Sequence, residues 1–353
     1  MFFLHCGSCS PGKARGTPAI RRPHRQRPST GPPAGRRPAG SRATVGGVEP
    51  PPPAELVLRR NAVAEGWSDD ELARHTRSGR WLRLRRGAFL SGVAPTGEVA
   101  RHRLLISATL AGLRRPAVVS HQSAAVLLGL PLWGAGLGQV HVTRTPPASS
   151  EASRFLRSHV ARLRDDEVVL VDGVAVTDPV RTLLDLARSL PTEPAVVILD
   201  AALHRGLVHK ADLEHRMEGL AGTRGSRSAA RAVAFSDARS ESIGESRSRV
   251  LLHRLGLAPS ALQLPVRSAE GTLLGRADFG WEDQRVVGEF DGRVKYGRLL
   301  RPGQDPGDAV FEEKRREDAF RDTGWGVVRW TWVELTPGDV VGDRVRRALT
   351  RGR

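Results

Sequence analysis

Cysteine is nearly absent from this chain. Only Cys6 and Cys9 occur in 353 residues, so no disulfide framework is implied and a reducing cytoplasm fits. Redox use of Cys6-Gly-Ser-Cys9 would need a strand before the pair and a helix after it, whereas Pro11, Gly12 and further Arg and Pro follow. With His5 the two thiols make an incomplete zinc set, and they read as reduced side chains in a disordered segment. Long apolar runs are missing too: no stretch reaches the ~18–20 apolar residues needed to span a membrane. Met1-Phe2-Phe3-Leu4 is too short for a secretory leader and has no preceding positive charge.

Acids are the next shortage. The chain carries 55 Lys and Arg against 38 Asp and Glu, a net +17, which favours a polyanionic partner. Nearly half of that excess lies in residues 1–53, where nine Lys and Arg face the single acid Glu49. The same segment holds 11 of the 24 prolines, ending in Pro50-Pro51-Pro52-Pro53. Such a stretch buries too little apolar surface to offset its ordering entropy, and disorder is expected. Its charge would add nonspecific phosphate contacts.

A first small domain is expected over residues 54–94. Residues 56–64 read as a helix. Ser68 then N-caps a second helix, with Asp69, Asp70 and Glu71 in its first turn and Gly79 as its stop. Residues 81–90 alternate apolar and basic, as a hairpin strand with one exposed face does. Helix, turn, helix and basic ribbon outline a winged helix. Arg77, Arg80, Arg83, Arg85 and Arg86, with Arg74, would line one cationic side for phosphates; the alternative is a solvated face.

Residues 95–237 read as a mixed α/β middle domain. Helices are expected over 102–113, after Ser120, after Thr177-Asp178-Pro179, and over 194–203 and 211–220; strands over 140–143 and 168–176. Residues 222–228 look like a boundary. His121, His141 and His204 have no spacing that matches a ligand set and read as packing or surface residues.

From residue 238 onward the pattern changes again. A helix over 242–255 bears Glu245, a short strand covers 263–266, and strands over 273–281 and 285–291 flank the turn Glu282-Asp283-Gln284. Alternation sets Asp278 opposite to Ala277 and Phe279, and puts Glu289 and Asp291 on one face. A hairpin would bring Asp278 beside them, and Glu245 could arrive from a helix packed over the sheet. Converging carboxylates repel one another and are costly to bury; a hard divalent cation removes that penalty and leaves room for a phosphate oxygen. Lys295 could hold that phosphate or orient the attacking water.

Glu245, Arg276-Ala-Asp278-Phe279, Glu289-Phe-Asp291-Gly292 and Lys295-Tyr296, in that order, resemble the PD-(D/E)XK nuclease superfamily, and most nearly the very-short-patch-repair endonuclease-like proteins of actinobacteria. A helix over 312–323 and a strand over 325–330 complete the pattern. The resemblance implies Asp278 and Glu289 as metal ligands for Mg²⁺ or Mn²⁺, Glu245 as the helix acid, and Gln263 and Arg329 as supporting groups. Asp291 stands where the motif has lysine, so Lys295 would substitute and the general base stays open. Gly79-Arg-Trp-Leu-Arg-Leu-Arg-Arg-Gly87, Ser120-His-Gln-Ser-Ala-Ala125 and Val176-Thr-Asp-Pro-Val-Arg-Thr-Leu-Leu-Asp185 resemble AbiEi-type antitoxins, in which a winged helix binds DNA and a toxin is the cognate partner. The expectation is an α+β, multidomain, metal-dependent endonuclease acting on double-stranded DNA, with a restriction-endonuclease-like domain over 238–353. The alternative is a noncatalytic antitoxin-like regulator that uses the nuclease fold for binding.

Overall fold

The computed structural model describes residues 55–292 and 306–352, without the side chains of 306–313. The basic tail 1–53, with Cys6 and Cys9, and Lys295-Tyr296 lie outside the described residues.

The first sheet is built from β1 (Glu55–Leu58), β2 (Trp81–Arg85) and β3 (Ala88–Ser91), in the order β1-β3-β2, all antiparallel. Between β1 and β2 come α1 (Arg59–Ala64) and α2 (Asp69–Arg77). Leu56, Val57 and Leu58 were expected to be helical and instead pair with β3; tertiary pairing overrides weak helix propensity here. Ser68 caps α2 in a full capping box with Glu71. Trp67, His75, Trp81 and Phe89 pack in series, edge-on or tilted, and fix α2 on β2.

The second sheet has the order β6-β7-β5-β4-β9-β8. Its strands are β4 (Val118–Val119), β5 (Val140–Arg144), β6 (Glu151–Ala152), β7 (Leu156–Val160), β8 (Val168–Val171) and β9 (Val174–Thr177). The single strand expected over 168–176 is a hairpin. Asp172 and Gly173 both take positive φ, 50° and 76°, the geometry that a two-residue Asp-Gly turn supplies. Helices α3 (Glu98–Leu110) and α4 (His121–Leu127) pack with this sheet.

A helical layer follows: α5 (Pro179–Ser189), α6 (Thr192–His204), α7 (Lys210–Glu218) and α8 (Ser226–Phe235). Asp178 caps α5 by accepting from the N–H groups of Val180 and Arg181. Leu183, Leu186, Ile198, Leu199 and Ala232 form its buried core. Residues 222–228 do not separate bodies: α8 starts within them and packs on α5 and α6.

The third sheet has the order β10-β11-β12-β13, from β10 (Ala261–Arg267), β11 (Leu273–Trp281), β12 (Val286–Asp291) and β13 (Gly326–Thr331). β10, β11 and β12 form an antiparallel meander and β13 joins β12 in parallel after the crossover helix α10 (Pro306–Asp322). On one side lie α9 (Ile243–Arg254) and α11 (Asp339–Arg351), packed over Phe279, Val286 and Trp330. On the other, Phe320 of α10 packs with Val287 and Ala277. The described residues are therefore mixed α+β, with three sheets among them.

None of the described helices is long and apolar enough to cross a membrane.

Candidate functional site

The acids singled out in the sequence meet where β10 and β11 depart from regular pairing. Gln263 takes φ = 54°, a left-handed conformation rare outside glycine. It lies opposite Asp278, between the register pairs Leu262↔Phe279 and Leu264↔Ala277. Ala277 then packs on the α10 side with Phe320, whereas Phe279 stacks on Trp330 at 5.3 Å on the α9 side. Simple alternation would put Ala277 and Phe279 on one face. The kinked backbone at Gln263 breaks the pleat and leaves Asp278 at the crossover.

Asp278 is half-buried and accepts a hydrogen bond from the backbone N–H of Phe290 at 2.8 Å. The β11–β12 ladder ends one pair earlier, at Phe279↔Gly288, so this carboxylate takes over a main-chain acceptor's place. Burial, and then the charge of Glu245, push Asp278 up to about 7; Glu289 adds to the rise, while Phe290 N–H and Arg316 oppose it.

Glu245 sits in the first turn of α9 and is 8% exposed. Its carboxylate accepts from the Ser242 hydroxyl at 2.7 Å, the Glu241 N–H at 2.9 Å and the Gln263 amide at 2.8 Å. Glu245 thus stabilises its own helix start while facing Gln263. Gly244 allows the approach: a Cβ there would lie 1.9 Å from Cε1 of Phe290. The back of α9 is anchored in the helical layer. Arg249 pairs with the fully buried Asp200 at 2.7 Å, and Arg247 pairs with Glu193 at 2.7 Å and lies over the Trp133 ring at 4.0 Å.

Glu289 is 6% exposed. Arg316, from α10, donates to one oxygen at 2.9 Å, and Arg329, its register neighbour on β13, pairs with the other at 2.7 Å. Arg329 also reaches Glu317 at 3.3 Å. Arg316 is not among the sequence candidates because nothing local marks it: the crossover helix delivers it, and Gly275 makes room, since a Cβ there would touch the Arg316 side chain at 2.9 Å. Asp291, two residues beyond Glu289 on β12, is half-buried and engaged. Glu245, Gln263, Asp278, Glu289 and Arg329 are therefore gathered at one place. Lys295 lies outside the described residues.

Of the arginines assigned to a DNA-facing side, Arg77, Arg80, Arg83 and Arg86 are exposed. Arg85 is not: a bulge between Arg83 and Arg85 turns it inward, where it reaches the Thr109 carbonyl at 3.4 Å and presses on Gly112.

Histidines with no ligand-like spacing in the sequence also converge. His121, His141 and His159 each offer a ring nitrogen, all within 4.8 Å of one another. His159 has no counterpart among the sequence candidates, because the pairing β5–β7 that brings it to His141 is long-range.

No family model matches the chain. Two uncharacterized proteins of Mycobacterium tuberculosis, MT2308 of strain CDC 1551 / Oshkosh and Rv2248 of strain ATCC 25618 / H37Rv, are each 29% identical to it over 185 residues, 52% of this chain and 65% of theirs. The chain thus matches less than two thirds of the length of these relatives. Among solved structures, the Rv2827c protein of M. tuberculosis aligns over 60% of this chain and 79% of its own, at 14% identity and a TM-score of 0.35, too remote to bear on fold or function.

Proposed function

We propose that residues 238–353 act as a Mg²⁺- or Mn²⁺-dependent endonuclease on double-stranded DNA, a PD-(D/E)XK-type core of the very-short-patch-repair-like branch, with residues 54–94 serving as a winged helix that grips the duplex. One observation carries the reading: Asp278 stands half-buried between two further carboxylates and is held up to about 7 by desolvation and their charge. Groups so perturbed cluster at functional sites.

The donor set suits a hard cation. Asp278 and Glu289 offer carboxylate oxygens, and the repulsion that raises Asp278 is what a divalent ion relieves. When bound, such an ion would neutralise charge growing on a phosphate and ready water for attack. The chain's own groups do the positioning. Gln263 and Ser242 fix the rotamer of Glu245. Phe290 N–H aims one oxygen of Asp278 and leaves the other to a ligand. Arg316 and Arg329 each hold one oxygen of Glu289 and keep the cluster from carrying three uncompensated charges. Arg77, Arg80, Arg83 and Arg86 supply exposed cations for phosphates.

The second reading is a noncatalytic, antitoxin-like regulator with a toxin as partner. It is favoured by the engagement of both Glu289 oxygens with guanidinium groups and of Glu245 with its own helix start.

Thermal melting with and without millimolar Mn²⁺ separates the two, because an ion bound only by the folded form raises stability. A rise in Tm in the wild type that is lost in Asp278→Ala supports the nuclease. Equal melting with and without metal, in a protein that binds duplex DNA, supports the regulator.

A further inference from the structure

We propose that His121, His141 and His159 form a binding site for one zinc-class transition-metal ion, with a fourth position open to the cavity beside them. The site is separate from the carboxylate cluster and independent of the nuclease reading.

The three rings come from three elements. His121 opens α4, His141 lies on β5 and His159 on β7, directly beside Thr143 in the parallel register. Nδ1 of His141 stands 3.1 Å from Nε2 of His159. Two nitrogens bound to one tetrahedral ion at the usual ~2.0–2.1 Å would be about 3.3 Å apart, so little movement is needed. The His121 ring stacks on His159 with centroids 3.7 Å apart. Its Nδ1 is taken by the Ser120 hydroxyl at 3.0 Å, which leaves Nε2 as the ligand atom and supplies the outer hydrogen bond that metal-binding imidazoles commonly have.

Two features point to a ligand rather than to packing. His121 adopts φ = 52°, a strained backbone for a non-glycine residue. The hydroxyl of Thr143, 1% exposed, has no hydrogen-bond partner among the described residues and stands on the wall of a cavity of about 640 Å³ that His121 and His159 also line. An all-imidazole donor set suits Zn²⁺, Co²⁺, Ni²⁺ or Cu²⁺ and not Mg²⁺. On the cavity lining Arg157, Arg181, Arg188 and Arg224 outnumber the acids Glu151 and Asp185, so the fourth ligand drawn from solution would be an anion.

Cobalt is the probe. Full-length protein carrying Cys6→Ser and Cys9→Ser, to remove the tail thiols, is stripped with chelator and titrated with Co²⁺. The expected result is saturation at one equivalent, with the intense visible absorption of four- or five-coordinate cobalt. The band should be displaced by Zn²⁺, unchanged in Asp278→Ala, and lost in His141→Ala and in His159→Gln. The glutamine variant keeps a polar side chain of similar reach, and far-UV circular dichroism confirms that each variant is folded. Absence of a saturable band, or a band that survives in folded His141→Ala and His159→Gln, overturns the site.

Discussion

The N–H of Phe290 points at the carboxylate of Asp278 over 2.8 Å, where a regular ladder would offer it a carbonyl. The acid is thereby part of the sheet's own hydrogen bonding, yet it stands half-buried next to Glu245 and Glu289 and is held up to about 7. Structure and reactivity compete at this one residue, and the competition is measurable.

Stability should record it. A carboxyl raised in the folded state contributes stability that is full below its unfolded value of about 3.9 and is lost as pH climbs to about 7. Metal-free protein is expected to lose on the order of 4 kcal/mol from this group between pH 4 and pH 8. Asp278→Asn keeps an oxygen for Phe290 N–H and cannot ionise, so it should melt higher than the wild type at pH 8 and with little difference at pH 4. Chemical denaturation at the two pH values checks this; a variant less stable at pH 8 would mean that the carboxylate is well solvated or paired.

The same titration predicts a metal dependence. Protons and the ion compete for Asp278, so the apparent Mn²⁺ affinity should rise with pH through about 7 and level above it. Calorimetric titrations from pH 6 to 8.5 would test this, and a flat profile would place the ion elsewhere.

Gly244 sets the distance between α9 and the sheet. A methyl at that position would overlap Phe290, so Gly244→Ala should destabilise the fold by about 1–3 kcal/mol and displace Glu245 from Gln263. Urea unfolding reads the first effect; unchanged stability would show that α9 can shift freely.

Asp200 and Arg249 couple α9 to the helical layer as a buried pair at 2.7 Å. Removing one partner leaves the other buried and uncompensated, and Asp200→Ala is expected to cost about 3–5 kcal/mol. A loss below about 1 kcal/mol would contradict that coupling.

For the basic face, Arg77→Ala, Arg80→Ala, Arg83→Ala and Arg86→Ala should weaken duplex binding. Each should reduce its salt dependence by about 0.9 in log–log slope for every phosphate that is no longer neutralised. Arg85→Ala, whose side chain faces Thr109 and Gly112, should leave that slope nearly unchanged. Equal effects of all five would restore a uniform cationic face.

Local signals were legible in the sequence and long-range ones were not. Ser68 with Glu71, and Asp178 before Pro179, announce helix starts through their own side chains. The Asp172-Gly173 hairpin carried its turn signal in plain view, although the run 168–176 reads as one strand. Leu56–Leu58 becomes a strand only because β3 lies beside it. Motif order singles out Glu245, Asp278 and Glu289, which the fold brings close to one another. The kink at Gln263 and the arrival of Arg316 were not legible, since each depends on what the chain packs against. His159 joined His121 and His141 for the same reason: parallel pairing between β5 and β7 creates the cluster.

The central claim is tested most directly by supercoiled plasmid and mismatch-containing duplex DNA incubated at pH 8 with Mn²⁺ or Mg²⁺. Wild type, Asp278→Ala and Asp283→Ala, a control in the polar turn that joins β11 and β12, are compared. The account predicts metal-dependent nicking by the wild type and by Asp283→Ala, and none by Asp278→Ala. Cleavage retained in Asp278→Ala, or DNA binding without cleavage by all three, would contradict it.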